Sequence, residues 1–417
     1  MANIFQITDL VAKEVLEIAH EKSTFLSTVN RQFDESFDGS IGSTLRIRLP
    51  SEIETREDTW VMDVQDVQDS VETLTHGYVI GADLKFTTPE ILFALGGPQA
   101  FEEISRNKIE PAVARMISKV ESRILLDLSK KTPQLVGTPG TVVGASGDIS
   151  ALGSARAKLN QALAPKDGQR YCQLDSVTMG SVATGIKTLF YPADQLKEAF
   201  TEGFVGRTAM ATFYENDRTY AHTNGDDVAG AVDESAATNF TEGSTTLHMD
   251  ALGTSVTEGS VFTIADMYDC HPETKQAYKH LKQFTVVGTP TVASNEGDVT
   301  FSPAIYSTGA KKNVCTSTGA DITWTAAGQN DKVVTFTGST STTYQHNLMY
   351  HKDFATFVMG NPPLMEDSIK CVIKRKENMA FRVWIGSDIR ASELLLRIDG
   401  VYGWKMLRPG WACRLTN

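Results

Sequence analysis

Apolar and polar positions alternate with three different periods along this chain. Near the N-terminus, Leu10, Val11, Val15, Leu16 and Ile18 recur among charges, which predicts a helix within 7–25 with Asp9 near its start. From 44 to 50 the period shortens to two, with Arg46 and Arg48 on one face and apolar residues on the other, as in a half-buried strand. The pattern is lost over 51–72, where Glu52, Glu54, Glu57, Asp58, Asp63, Asp66, Asp69 and Glu72 are opposed only by Arg56. Strand character returns at 78–80 and 84–86, so the acidic stretch reads as the excursion of an extended hairpin. Having few apolar residues to bury, such an excursion gains little by folding back on its own domain, and an interaction arm is the better reading. A solvated loop is the alternative, since charge runs mean exposure.

The longest helical pattern spans 101–131. Ile104, Ile109, Val113, Met116, Ile117, Val120, Ile124 and Leu128 mark its inner face, and Arg115, Lys119, Glu121 and Arg123 its outer one. Pro111 starts a new helical segment or kinks the helix, and from there to Lys131 the helix is about 30 Å long. A Gly/Pro/Thr-rich loop covers 132–147. Asp148 or Ser150 then caps a helix with Leu152, Ala155, Leu159 and Leu163 inside. A strand at 170–174 and a short helix at 193–200 follow. Between His222 and Gln345 the character changes again. Runs at 259–264, 283–288 and 297–305 are β-branched and aromatic, bounded by Gly, Pro, Asn and Asp, and predict small antiparallel strands. Mixed α/β pattern resumes after them, with strands over 372–415, so a β-rich module interrupts an α/β unit and is attached at two points.

Length and charge narrow the function. A chain of 417 residues suits two or three folding units. Its net charge is −12, and no Lys or Arg occurs between Arg218 and Lys275, which counts against a protein that grips nucleic acid through phosphates. No apolar stretch is long enough to span a bilayer, and the N-terminus lacks a secretory pattern, so no membrane role and synthesis in a cytoplasm are expected. The 5 cysteines form no Cys-x-x-Cys pair and are expected to be reduced, buried thiols.

Two groups of residues carry a family resemblance. Tyr214-Glu215-Asn216-Asp217-Arg218 leads into Ala221-His222-Thr223-Asn224-Gly225 ahead of the module. Phe381-Arg382-Val383-Trp384-Ile385-Gly386, Leu396-Arg397-Ile398-Asp399-Gly400-Val401-Tyr402-Gly403 and Arg408-Pro409-Gly410-Trp411 close the chain. In this order around a central β-module, they resemble the major coat proteins of short-tailed double-stranded DNA phages of the P-twenty-two type. The resemblance implies an α+β fold of the Hong Kong 97 capsid type with an inserted all-β, barrel-like domain. It divides the chain into an N-terminal arm (1–40), an extended loop hairpin with flanking strands (41–90) and a peripheral domain with a spine helix (91–147). The first part of an axial domain (148–222), the inserted domain (223–345) and the C-terminal strands of the axial and peripheral domains (346–417) complete it. The implied function is a major capsid protein that assembles, in a bacterial host's cytoplasm, into the icosahedral shell of a tailed phage's DNA. Its implied partners are copies of itself in pentamers and hexamers, a scaffolding protein and a portal protein, with double-stranded DNA enclosed without sequence-specific binding. By resemblance the acidic hairpin overlaps a neighbouring subunit, making Glu52, Glu54, Arg56, Glu57, Asp58, Asp63 and Asp66 candidate contacts. With no lysine between Lys22 and Lys85, that loop lacks the amine an isopeptide cross-link requires.

No catalytic constellation, cofactor motif or metal motif stands out. The glycines at 137–144 lack the Lys-Ser/Thr of a phosphate loop, and Ser105-x-x-Lys108 has no companion motifs. His346, His351 and Asp353 lack a third convergent ligand, and His222 with Asp226 and Asp227 reads as a polar hinge. An encapsulin-like nanocompartment shell is the alternative on the same fold. A hydrolase with an accessory β-domain is a more distant one, requiring paired carboxylates in a pocket.

Overall fold

The computed structural model describes residues 11–19, 22–33, 44–50, 53, 55, 60–62, 64, 70–75, 77–87, 105–145, 149–189, 211–226, 229–233, 240–364, 370–376, 379–388, 390 and 393–417. The fold is mixed α+β, and the chain divides into two compact units. One comprises Met1–Arg48, Val71–Ile124 and Ala355–Leu407, the other Leu49–Ser70, Leu125–Phe354 and Arg408–Asn417.

The first unit is organised by β19 (Glu393–Met406). Its length lets it pair with β3 (Tyr78–Thr87), β16 (Ala355–Gly360) and β18 (Met379–Asp388), and β17 (Lys370–Lys376) adds to β18. All four pairings are antiparallel. A two-stranded ladder, β1 (Thr44–Leu49) and β2 (Ser70–Thr75), brackets the excursion. Two helices serve this unit: α1 over 11–19 and the first part of α2 (Glu110–Lys131). A π-helical turn, Ser105–Ile109, leads into α2, so Pro111 sits in its first α-helical turn, where its missing N–H costs nothing.

The second unit has a mixed sheet and a closed barrel. The sheet is built on β15 (Thr343–His351), flanked by β20 (Ala412–Thr416) and β5 (Arg170–Leu174). The short β4 (Leu135–Val136) and β6 (Thr212–Glu215) extend it by parallel pairing, and β7 (Tyr220–Thr223) pairs with the N-terminal half of β15. Helix α3 (Ser150–Gln161) buries Leu152, Ala155 and Leu159 in a core shared with Cys172, Phe213, Met349 and Leu415. Ile149, not Asp148 or Ser150, occupies the position before α3 and makes no side-chain cap; Asp148 lies outside the described residues. Helix α4 (Ser176–Leu189) has no counterpart in the sequence reading because its glycines, serines and threonines are weak helix formers. It is started by Asp175, whose carboxylate accepts from Thr178 N at 3.3 Å. Asp9, near the start of the first expected helix, and the whole helix expected at 193–200 lie outside the described residues.

The barrel strands are β8 (Ala229–Val232), β9 (Ser244–Asp250), β10 (Val261–Cys270), β11 (Ala277–Val286), β12 (Gly297–Ile305), β13 (Val314–Cys315) and β14 (Val333–Phe336). They run in the order β11-β12-β9-β8-β14-β10, and β10 pairs with β11 to close the ring, which removes the open edges. Phe262, Phe284 and Phe301 meet inside it at 5.3–5.9 Å between ring centroids. The three expected strands are present: β12 spans the expected 297–305, while β10 and β11 run longer than expected, with β-bulges in their pairing. Paired β7 and β15, with Thr223 opposite Thr343, form the stem through which the chain enters and leaves the barrel.

Candidate functional site

The ladder that carries the excursion is fixed at its base. Ile47 of β1 and Leu74 of β2 are buried against Val358, with Phe33, Leu45 and Leu407 around them. Glu72 of β2 is ion-paired to Lys405 of β19 at 2.9 Å. Arg46 and Arg48 project from the exposed side, as the alternation predicts. Beyond this base, Ile53, Trp60, Val61, Met62 and Val64 are 63, 99, 75, 73 and 76% exposed. This corrects the sequence reading of the excursion as poor in apolar residues: its acidic count hid a short run of large apolar side chains. All seven predicted contact residues, Glu52, Glu54, Arg56, Glu57, Asp58, Asp63 and Asp66, lie outside the described residues.

One carboxylate of helix α2 takes up three backbone donors of the N-terminal segment. The periodicity places Glu121 on the outer face of α2, but the structure buries it completely. Its Oε1 accepts from the backbone of Thr24, Phe25 and Leu26 at 2.9, 2.9 and 3.2 Å, capping the turn that follows α1. Val11, Ala12, Val15, Leu16, Ile18 and Ala19 of α1 are buried, so the described part of this segment packs within its own unit. Arg123 lies over the Tyr78 ring at 4.1 Å, and Tyr78 stacks on Trp404 at 4.6 Å.

The root of the barrel is polar and buried. Arg414 of β20 is wholly buried; its Nη1 donates to Gly259 O at 2.6 Å and its Nη2 to Thr285 Oγ1 at 3.1 Å. Thr285 Oγ1 in turn donates to Lys130 O at 2.8 Å, at the end of α2. Gln283 substitutes for a strand neighbour, accepting from Leu135 N at 3.1 Å and donating to Leu135 O at 2.9 Å. Gly259 has φ +92°, and a Cβ there would stand 3.0 Å from Lys130 Cγ, so this close approach requires glycine. Burial lowers the Arg414 guanidinium to about 10, since a dry interior disfavours the cation.

Two histidines beside Arg414 are kept neutral. His222 accepts or donates at Nδ1 to Tyr220 Oη at 2.8 Å and at Nε2 to Ser260 Oγ at 3.2 Å. His346 stacks on Tyr220 at 6.0 Å, and both its ring nitrogens are buried without a hydrogen-bond partner. Burial first, then the Arg414 charge, push His222 down to about 4 and His346 well below its usual range. The unfolded chain therefore binds protons below about pH 6.5 that the folded chain refuses. Stability is full above that pH and falls as pH drops toward 4. Urea midpoints are expected to show a loss of about 2 kcal/mol from His222 alone between pH 7 and pH 5, at 1.36 kcal/mol per pKa unit. His222→Asn should flatten that slope; an unchanged slope would remove His222 as its source.

The other candidates from the sequence do not converge. His351 Nε2 meets Asp167 at 3.2 Å and its Nδ1 accepts from Asp353 N at 3.2 Å, while His346 stands apart at the stem. Asp226 accepts from Thr254 Oγ1 at 2.9 Å, and Asp227 is outside the described residues. Lys108, of the Ser-x-x-Lys spacing, lies over the Phe86 ring at 5.2 Å. Cys172, Cys270, Cys315 and Cys413 are buried and Cys371 is half-buried. Among the described residues no helix is long and apolar enough to cross a membrane.

No protein-family model matches the chain, and no curated protein does. Among solved structures it is similar to a chain from Mycobacterium phage Che8, at 11% identity over 94% of this chain and 90% of that one, TM-score 0.49. It is also similar to the capsid of Ralstonia phage GP4, at 6% identity over 94% and 87%, TM-score 0.44. A third likeness is to the asymmetric unit of the bacteriophage PhiM1 mature capsid, at 10% identity over 94% and 88%, TM-score 0.43. At such identities and TM-scores these likenesses decide nothing about function, which rests on the chain's own features.

Proposed function

We propose that this chain is a shell-forming structural protein, the major capsid protein of a tailed phage with a Hong Kong 97-type fold and an inserted barrel domain. The observation that carries the reading is the excursion between β1 and β2. Its base is locked into a core, while Trp60, Val61, Met62 and Val64 of the excursion are largely exposed. Each such side chain gains about 1.5–3 kcal/mol when removed from water. A stretch anchored this way is suited to lie on a second copy of the same chain, where one small contact is repeated around a closed symmetric ring. The surrounding carboxylates, including Glu52, Glu54, Glu57, Asp58, Asp63 and Asp66, then meet Arg or Lys of the neighbour. Exposed pairs contribute about 0–1 kcal/mol each, so apolar contact sets the affinity and the charges set the register.

The finer parts of the reading follow the sequence resemblance. They are pentamers and hexamers in an icosahedral shell, a scaffolding protein and a portal as assembly partners, and double-stranded DNA as contents. A net charge of −12 fits a container that holds DNA without gripping it.

The test is assembly of the full-length chain, with and without its scaffolding partner, followed by electron microscopy and sedimentation. Closed particles are expected from the parent. The variant with Trp60→Ser, Val61→Ser, Met62→Ser and Val64→Ser together should keep the parent's circular dichroism yet yield no particles. Normal particles from that variant would remove the excursion as the assembly contact. Particles that never take up DNA would point instead to a nanocompartment.

A further inference from the structure

The rim of the barrel carries a group of side chains that shell formation leaves unused. Asp233 follows β8, His248 lies in β9, and Glu296 and Asp298 flank Gly297 at the start of β12. Strand register brings them together: His248 is directly opposite Asp298, and Asp233 N donates to His248 O at 3.2 Å. One ligating atom from each of Asp233, His248 and Glu296 lies within 4.8 Å of the others.

The imidazole is held in a particular way. His248 Nδ1 is 2.8 Å from Asp298 Oδ1, a contact in which the ring donates to the carboxylate, and in the neutral imidazole this leaves the lone pair on Nε2. Nε2 stands 3.7 Å from Asp233 Oδ2, beyond hydrogen-bond reach. That separation suits two ligands of one ion, which at bonds of about 2.0–2.2 Å stand about 3.3–3.6 Å apart in a tetrahedron. A carboxylate behind a histidine, orienting its ring toward an ion, is the usual support of a protein metal ligand. The side chains of His248 and Asp233 are only 19 and 20% exposed, so neither has to be recruited from open solvent. A cleft of about 760 Å³, lined by His248, Glu296, Asp298, Gly288 and Pro290 among others, opens beside them and gives an ion and its water ligands a path of entry.

We propose that this rim binds one borderline divalent transition ion of the Zn²⁺ type through Asp233 Oδ2, His248 Nε2 and a Glu296 carboxylate oxygen. Asp298 positions the ring, and water from the cleft fills the remaining coordination position. An imidazole nitrogen with carboxylates favours such ions over Mg²⁺ and Ca²⁺, which take oxygen ligands. The bound ion ties the end of β8 and the segment before β12 to β9, three pieces otherwise joined by strand pairing.

The test uses the unassembled full-length chain, stripped with EDTA and titrated with ZnCl₂ by calorimetry. One ion per chain is expected, with a rise in Tm that MgCl₂ at the same concentration does not give. His248→Ala should abolish both, and Asp298→Asn should weaken binding about 10–100-fold. Asp321→Asn, a barrel carboxylate elsewhere, should bind as the parent does, and circular dichroism of each zinc-free variant checks that it is folded. Absence of stoichiometric zinc binding in the parent overturns the site. So does binding of parental affinity in His248→Ala or Glu296→Gln.

Discussion

Replacing Asp399 with alanine is expected to destabilise the first unit by about 3–5 kcal/mol, the cost of breaking a buried ion pair from one side. Asp399 is 1% exposed in the middle of β19. Its Oδ2 accepts from Arg382 Nη2 at 2.6 Å and its Oδ1 from Arg397 Nε at 2.8 Å. Arg382 is itself buried and spends its other terminal nitrogen on Pro363 O at 2.7 Å. Without the carboxylate, a guanidinium is stranded between β18 and β19 with its charge uncompensated. Arg397 is half exposed and loses little. Gly81 of β3 lies opposite Asp399 in register, and a Cβ there would be 2.9 Å from Asp399 Oδ1, so the same network explains why that strand position is glycine. Asp399→Asn keeps the shape and should cost less than alanine. The pair Arg382→Leu with Asp399→Leu should recover much of the loss, because no buried charge then remains unpaired. Urea unfolding of the four proteins measures this. An Asp399→Ala variant within 1 kcal/mol of the parent would show that water reaches Arg382 and that the pair is not truly buried.

Arg414→Ala is expected to cost a similar amount, about 3–5 kcal/mol, by a different route. It empties a large volume and leaves Gly259 O without its donor, where the barrel meets β20. Arg414→Met fills most of the volume and removes a cation that is expensive to keep dry, so its loss should be well under half that of alanine. The same change also relieves His222 and His346 of a neighbouring positive charge, which should raise both histidines and soften the acid sensitivity of the stem. Equal losses in the two variants would mean that the bonds to Gly259 and Thr285, not the filled volume, hold the barrel to the sheet.

The candidate assembly site was half legible. Alternation over 44–50 gives away β1 and the exposed Arg46 and Arg48, and the acidic run gives away an excursion. The run of Trp60, Val61, Met62 and Val64 was visible in the letters, yet a charge tally outweighed it. Counting large apolar residues inside a polar stretch was the signal that would have found it. The metal-ligand group was not legible at all. Asp233, His248 and Glu296 fall at spacings that match no motif, and only the pairing of β9 with both β8 and β12 brings them side by side.

The sequence by itself determined the local elements: α2 from its apolar spacing, the barrel strands from β-branched runs, and the interruption of an α/β unit by a β-module. These depend on short-range period and turn chemistry, which each segment carries alone. Tertiary structure decided what happens to polar side chains whose partners lie far along the chain. Glu121 looks like an outward-facing residue of α2 until the turn at 24–26 offers it three backbone donors. Arg414 looks like an ordinary polar position of a C-terminal strand until Gly259 O and Thr285 Oγ1 offer it acceptors. Closure of the barrel through β10 and β11 is of the same kind. A hydrophobic period states only that one face is buried, whereas a buried charge is set by the one pairing of distant segments that satisfies it.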